Sequence, residues 1–198
     1  MKAFEGFESE KSGSGSFGQL PAGAYVGKIT SVKIEGAEPD QTLAIAVDVT
    51  EGEHAGYFSR RLKHDQEAGG QFEVKYKGVY RLRIPNPANT RAMYPDSDKR
   101  RFNDAIWRIE ASNPGYHWDW NEKGLIGRAV GFSMQDCEYN GNPYTAIGRF
   151  EVADDVRAGN VPMMKPRKPR GDAAPSAPAA DPMSGFTQVE TEIGRAHI

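Results

Sequence analysis

The stretch Ser112-Asn113-Pro114-Gly115-Tyr116-His117-Trp118-Asp119-Trp120-Asn121-Glu122-Lys123-Gly124 separates a helix-patterned run from two runs patterned like strands. Asn113-Pro114-Gly115 cannot continue a helix, because Pro114 has no N–H to donate and biases the residue before it away from the α region. Four side-chain rings then follow within five residues: Tyr116, His117, Trp118 and Trp120. So much aromatic area in a connection is either buried in the domain or kept for a ligand.

The run before this connection predicts one amphipathic helix. Asp96-Ser97-Asp98 supplies N-cap residues, and carboxylates there suit the positive end of the helix dipole. An apolar stripe at i, i+3, i+4 and i+7 then extends the helix to about Ser112; its members are Phe102, Ala105, Ile106 and Ile109. Trp107 lies outside this stripe, and we expect it to pack on a second side of the helix rather than face solvent.

Upstream of the helix the chain has strand patterns. Residues 24–34 are rich in β-branched and aromatic residues. In 43–49 the alternate residues Leu43, Ile45, Val47 and Val49 share one face. The small residues Ala44 and Ala46 on the other face leave room either for a molecule to lie across the sheet or for a loop that covers them. The run 57–63, Tyr-Phe-Ser-Arg-Arg-Leu-Lys, is a third and basic strand candidate.

The run 75–84 is the most informative strand candidate. If it is extended throughout, one face carries four cations and the other carries apolar and aromatic side chains. The cationic face would consist of Lys75, Lys77, Arg81 and Arg83, and the core face of Tyr76, Tyr80, Leu82 and Ile84. Gly78 is a position where a bulge would break this register.

After the connection, residues 125–134 and 144–152 predict two further strands. The sequence Tyr139-Asn140-Gly141-Asn142-Pro143 between them is a hairpin turn signal. Residues 153–159 are expected to form one short helical turn. The element order is therefore β-β-β-α-β-β, which predicts a mainly β protein: a five-stranded OB-type Greek-key barrel with one helix between strands 3 and 4.

Composition places this fold in the middle of the chain. The 198 residues are 38% hydrophobic, with 22 Gly and 13 Pro, and the polar residues concentrate at the two ends. We predict a flexible segment over 1–19, the binding domain over 20–161, and a disordered Pro/Ala-rich linker with a weakly acidic tail over 162–198. We expect a cytoplasmic protein without a membrane segment, since there is no long apolar run, no signal-like start and a single cysteine, Cys137.

Charge is distributed unevenly along the chain. Residues 56–110 contain twelve Lys or Arg against seven Asp or Glu, whereas the net formal charge of the whole chain is −2. A basic middle next to an acidic end suggests a polyanion site and a separate tail, although a solvated surface of mixed charge explains the same balance. The basic run 165–170 is either an additional phosphate contact or, as we expect, the soluble start of the linker.

Several motifs resemble the phage-encoded single-stranded DNA-binding proteins of OB fold, a family formerly known only as a domain of unknown function. The main carrier is the segment 110–119, Glu-Ala-Ser-Asn-Pro-Gly-Tyr-His-Trp-Asp, and shorter matches occur at 20–25, 51–58, 125–128 and 156–159. The resemblance implies a protein that coats and protects single-stranded DNA in replication or recombination and recruits partner proteins through an acidic C-terminal tail. This chain departs from that pattern at its end, Gly-Arg-Ala-His-Ile, where Arg195 and His197 weaken the acidic peptide.

Cations that follow a backbone and aromatic rings that stack on bases are the requirements of single-strand binding. The candidate DNA-binding residues are Arg60, Arg61, Lys63, Lys75, Tyr76, Lys77, Tyr80, Arg81, Arg83, Trp118 and Trp120. Because Tyr116, Trp118 and Trp120 alternate, we expect their rings to point the same way and to close the core. Of the three, Trp118 or Trp120 is the one that we expect to reach a base.

Enzyme chemistry finds little support in the sequence. The histidines and Cys137 lack metal-ligand spacing, and there is no phosphate-binding loop or nucleophile elbow, so we expect no catalytic residue, metal or cofactor. Two alternatives remain open: a divalent-metal nuclease built on Asp154-Asp155 or on Asp96 and Asp98, and a structural or assembly protein that uses the same barrel. The sequence leaves the oligomeric state and the preference between DNA and RNA undetermined.

Overall fold

A computed structural model describes residues 17–69, 73–90 and 92–168. The predicted acidic tail, the Ala/Pro linker and most of the N-terminal segment lie outside these described residues. Within the described ranges no helix combines the length and the apolar character needed to cross a bilayer.

The protein is mainly β, with one five-stranded antiparallel sheet. The strands are β1 (Gly23–Glu35), β2 (Thr42–Val49), β3 (Val79–Arg83), β4 (Ala129–Tyr139) and β5 (Asn142–Glu151). In the described ranges the connections contain three α-helices, α1 (Tyr57–Glu67), α2 (Pro95–Ala111) and α3 (Ala153–Arg157), and a 3₁₀ helix, Glu122–Leu125. The spatial order of the strands is β3-β2-β1-β4-β5, and every neighbouring pair is antiparallel.

The two edge strands, β3 and β5, approach each other without joining. The rings of Tyr80 on β3 and Phe150 on β5 lie 4.7 Å apart between centroids. Among the described residues β3 pairs through its backbone with β2 only, and β5 with β4 only. The sheet is therefore strongly curved but not closed by hydrogen bonds, and a seam remains between its edges.

The core lies between the inner face of the sheet and α2. The predicted stripe of α2 is confirmed, because Phe102, Ala105, Ile106 and Ile109 are the residues that this helix buries. The predicted inner face of β2 is also buried throughout. Trp107 contradicts the packing prediction: it is 57% exposed, so the described part of the chain leaves much of this side chain uncovered.

The β4–β5 hairpin turns at the predicted site. Asn140 and Gly141 have φ of 49° and 76°, as the two central residues of a type I′ turn require. The short helix α3 also occupies the predicted position.

The run 57–63 is not a strand. It begins α1, in which Tyr57 and Phe58 are buried. The cap of this helix comes from the neighbouring strand, because the side chain of Asp48 accepts hydrogen bonds from the N–H groups of Phe58 (2.9 Å) and Ser59 (3.2 Å). A cap supplied from ten residues away leaves no local signal in the sequence.

The run 75–84 is a strand only from Val79 to Arg83. A Cβ on Gly78 would stand 2.6 Å from both the Phe58 ring and the Val47 carbonyl oxygen, so this position admits only glycine beside α1. Lys75, Tyr76 and Lys77 therefore precede β3 rather than extend it.

Candidate nucleic-acid interface

The outer face of β1, β2 and β3 combines small residues with cations. Residues directly opposite each other on antiparallel strands share a face. The register places Lys33, Ala44 and Arg81 in one row across the three strands, and Ser31, Ala46 and Val79 in the next. Of the two small residues predicted for the outer face of β2, Ala44 thus lies between two long cationic side chains, whereas Ala46 lies between Ser31 and Val79.

Arg81 and Arg83 are exposed, as predicted, and each is held by a carboxylate. The Arg81 guanidinium donates to both Glu35 oxygens, at 3.0 and 3.3 Å, and this contact lowers the pKa of the Glu35 carboxyl. Arg83 pairs with Asp40 at 3.0 Å and with Asp98 at 3.8 Å. These pairs orient the two arginines, and a phosphate would have to compete with the carboxylates for them.

The seam between β3 and β5 holds a strongly cationic concavity. It has a volume of about 610 Å³, and its lining includes Arg81 from β3, Arg101 from α2, and Arg167 and Lys168 from the segment after α3. Its other lining residues are Val79, Tyr80 and Ile147, so no carboxylate lines it among the described residues. Arg101, Arg167 and Lys168 form no ion pair within 4.0 Å in the described part of the chain.

The segment 162–168 is attached to the sheet. The Arg167 N–H donates to the Asp136 carbonyl at 2.8 Å, and the Gln135 side chain donates to the Lys165 carbonyl at 2.6 Å. Ordered contacts with β4 thus extend beyond the predicted domain boundary at 161. They bring Arg167 and Lys168 to the seam, whereas we expected this basic run to begin a soluble linker.

Three concavities join along β3. A smaller one of about 260 Å³ shares Arg81 and Arg101 with the seam concavity. It shares Arg83 and Asp98 with a third of about 330 Å³, which is also lined by Trp120. We call this continuous surface the β3 groove; its cations are Arg81, Arg83, Lys99, Arg101, Arg167 and Lys168.

The aromatic connection after α2 divides into packed and exposed rings. The Arg128 guanidinium lies 3.9 Å from the Tyr116 ring centroid, and burial raises the pKa of the Tyr116 hydroxyl. The Trp118 backbone N–H donates to Glu110 at 2.8 Å, and its indole N–H donates to the Asn121 carbonyl at 2.9 Å. Trp120 departs from the prediction that the three rings point the same way: its backbone is left-handed, with φ of 67°, and the residue is 68% exposed.

The structure brings together only part of the predicted site. Arg81, Arg83 and Trp120 line the β3 groove, but none of the three concavities is lined by Arg60, Arg61, Lys63, Lys75, Lys77 or Trp118. On α1, Arg61 donates to the Tyr57 hydroxyl and Lys63 pairs with Glu67 at 3.8 Å.

Two predicted tyrosines are structural. Tyr80 lines the seam but is buried, and its ring packs on Phe150, so no face of it is free for a base. Tyr76 is half-buried and donates to the Val47 carbonyl at 2.9 Å. Burial, reinforced by the charge of Asp48, raises the pKa of Tyr76 to about 12.

Lys99, Arg101, Arg167 and Lys168 were not among the predicted site residues. Lys99 and Arg101 lie on α2 outside its apolar stripe, which was the available signal for a solvent-facing basic side of this helix. Nothing in the sequence indicates that residues 167 and 168 fold back onto the seam.

The carboxylates considered for a nuclease do not assemble. Asp154 pairs with Arg157 at 2.6 Å, and Asp98 pairs with Arg83. In the described ranges no three His, Cys, Asp or Glu side chains lie close enough to hold a metal ion together.

Neither protein-family models nor curated proteins provide a relative of this chain. No protein-family model matches this chain. A search of curated proteins also finds no match.

Proposed function

We propose that this protein binds single-stranded DNA without sequence preference, through the β3 groove. The observation that carries the proposal is the seam concavity, where four cations from three separate elements face one space with no carboxylate in its lining. A convergent basic surface of this kind suits a phosphodiester backbone, since each neutralised phosphate releases condensed counterions. The exposed Trp120 at the other end of the groove supplies a face on which a base can stack.

We further infer an OB-type barrel. The strand order β3-β2-β1-β4-β5 is that of a five-stranded OB barrel opened between β3 and β5, and α2 lies between strands 3 and 4 as in that fold. OB folds bind oligonucleotides across strands 2 and 3. The β3 groove follows the second of these strands and continues towards β5 and α2. The helix α1, inserted between β2 and β3, is a departure from the simple barrel.

The resemblance of the segment 110–119 to phage single-stranded DNA-binding proteins supports the same proposal. On this basis the protein would coat and protect single strands in the replication or recombination of a phage, within the host cytoplasm. Recruitment of partner proteins would fall to the tail, which lies outside the described residues.

The test is a titration of the full chain with poly-dT, poly-rU and duplex DNA at several salt concentrations. We expect binding of poly-dT at low salt, with the logarithm of the affinity falling against the logarithm of salt concentration at about −0.7 per neutralised phosphate. Absence of binding to every single strand at low salt would refute the proposal.

A pair of matched variants locates the site. Arg101→Gln should weaken binding and reduce the salt slope by about 0.7. Arg60→Gln should change neither quantity, because Arg60 is an exposed helical arginine outside the groove. Equal effects of the two substitutions would remove the groove from the proposal.

A further inference from the structure

Trp120 adopts a backbone conformation that its packing does not explain. Among the described residues it is one of two non-glycine residues with positive φ, and the other, Asn140, is a residue type that tolerates this region and lies in a hairpin turn. An indole in the left-handed region is strained, yet the strain does not place the ring in the core, since the residue is 68% exposed. Such outliers persist where the surrounding structure enforces them, and they concentrate at ligand sites.

The Trp120 ring is the outermost member of an aromatic stack. It lies nearly parallel to the buried Phe102 ring, at 17° and a centroid distance of 5.9 Å. The Trp118 ring supports it at 4.8 Å and is itself fixed by its indole hydrogen bond. Trp120 therefore contacts the core through these two rings, and its 68% exposure leaves ring surface available to a further planar ring.

The cavity beside this ring has the size and lining of a ligand pocket. Its volume of about 330 Å³ falls in the range of roughly 300–1,000 Å³ typical of small-molecule sites. Ile84, Pro85, Pro87 and Pro95 give it apolar walls. Its polar lining includes Lys99 and Asn103, and also the carboxylates of Asp96 and Asp98. Lys99 forms no ion pair within 4.0 Å in the described ranges, so its ammonium is available to a phosphate.

Arg83 lines both this cavity and the adjoining middle part of the β3 groove. A DNA strand that follows the cations of the β3 groove would reach the cavity at Arg83. A volume of about 330 Å³ is large enough for one flat base, and a base held there would leave its sugar and phosphate on the side of Arg83 and Lys99.

We propose that this cavity receives a single nucleobase of the bound strand, stacked on the outer face of Trp120. The inference rests on the proposed function and adds to it a defined position at which one base leaves the stack of its neighbours. Because every base has a π-face, stacking here is compatible with binding that lacks sequence preference.

The experiment compares the full-length protein with Trp120→Ala and Trp107→Ala. Both residues are exposed tryptophans, but Trp107 lies outside the lining of the cavity. For a dT oligonucleotide we expect Trp120→Ala to weaken binding by roughly 5- to 150-fold, the equivalent of one stacked base, and to leave the salt slope unchanged because no phosphate contact is lost. Trp107→Ala should bind like the wild type, and Trp120→Phe should recover part of the loss.

The outcomes separate this inference from the proposed function. If the wild type binds no single strand, both fail. If the wild type binds single strands and Trp120→Ala binds them equally well, the proposed binding through the β3 groove is retained and the proposed base pocket is refuted. A third arm adds free dAMP: quenching that depends on Trp120, together with an unchanged oligonucleotide affinity in Trp120→Ala, would indicate a mononucleotide site and overturn the inference.

Discussion

At the scale of single residues, Asp48 controls the start of α1. Its carboxylate accepts hydrogen bonds from the backbone N–H groups of Val49, Phe58 and Ser59, and the residue is only 8% exposed. Gly56, which precedes the helix, has no side chain to act as a cap. Asp48 therefore fixes the first turn of α1 on the sheet, while Tyr57 and Phe58 of the helix pack in the core.

Replacing Asp48 by Ala should lower the free energy of unfolding by about 2–4 kcal/mol, because it leaves buried amide groups without a charged acceptor. Urea denaturation measures this difference. Asp48→Asn keeps one acceptor oxygen and should lose about half as much. A loss below about 0.5 kcal/mol for Asp48→Ala, the range of ordinary surface substitutions, would contradict this assignment.

Tyr76 makes stability depend on alkaline pH. Its folded pKa of about 12 lies above the value of about 10 in an unfolded chain. Below pH 10 the phenol is protonated in both states and its contribution is complete. Between pH 10 and 12 the unfolded chain loses this proton first, so the folded state loses stability as the pH rises.

The comparison with Tyr76→Phe isolates this contribution. Near pH 8 the wild type should be more stable by about 1 kcal/mol, because the variant loses the hydrogen bond to the Val47 carbonyl. The advantage should shrink as the pH rises above 10, as measured by denaturant unfolding at each pH. Tyr139→Phe, an exposed tyrosine in the β4–β5 hairpin, is the control; a pH-independent difference for Tyr76→Phe would contradict the raised pKa.

At the scale of elements, the sequence predicted those whose stabilising groups are local. The α2 stripe, the alternation in β2 and the Asn140-Gly141 turn each lie within a few residues, and all three are confirmed. The helix α1 was missed because its cap comes from β2 and its two leading aromatic residues also favour a strand. The segment 162–168 was missed because its partners, Gln135 and Asp136, lie about thirty residues earlier.

The segment 162–168 should contribute to binding rather than to stability. The double substitution Arg167→Gln and Lys168→Gln removes two cations of the seam, so the salt slope for poly-dT should fall by about 1.4. The melting temperature should change little, because the attachment uses the backbone of Arg167 and not its side chain. Lys165→Gln in the same segment is the control, since Lys165 does not line the seam. If the double variant keeps the salt slope of the wild type, the segment does not contact the bound DNA.

At the scale of the whole molecule, the seam contains both a core contact between the edge strands and part of the candidate site. Tyr80 and Phe150 connect the two edge strands through their rings, at the base of the concavity that Arg81 and Arg101 line. We therefore expect the convergence of the cations to depend on this contact.

Phe150→Ala should cost about 3–5 kcal/mol of stability, as expected for a fully buried ring. It should also speed amide hydrogen exchange in β3 and weaken DNA binding, because the two edges are no longer held together. Denaturation, exchange and titration of the same sample measure the three effects. Tyr144→Ala, an exposed ring on the same strand, is the control. Exchange in β3 at the wild-type rate would contradict the expectation that the Tyr80–Phe150 contact holds the two edge strands together.

The sequence by itself determined the mainly β class, the helix between the third and fourth strands, the hairpin turn and the exposure of Arg81 and Arg83. These features follow from side-chain periodicity and turn chemistry, which act over a few residues. Only the tertiary structure decided that the basic run 57–63 is helical, that Tyr80 is core, that Trp120 turns outward, and that Arg101, Arg167 and Lys168 meet at one seam. Those outcomes depend on contacts between residues far apart in the chain, and a local pattern carries no information about which distant groups will cap a helix or share a groove.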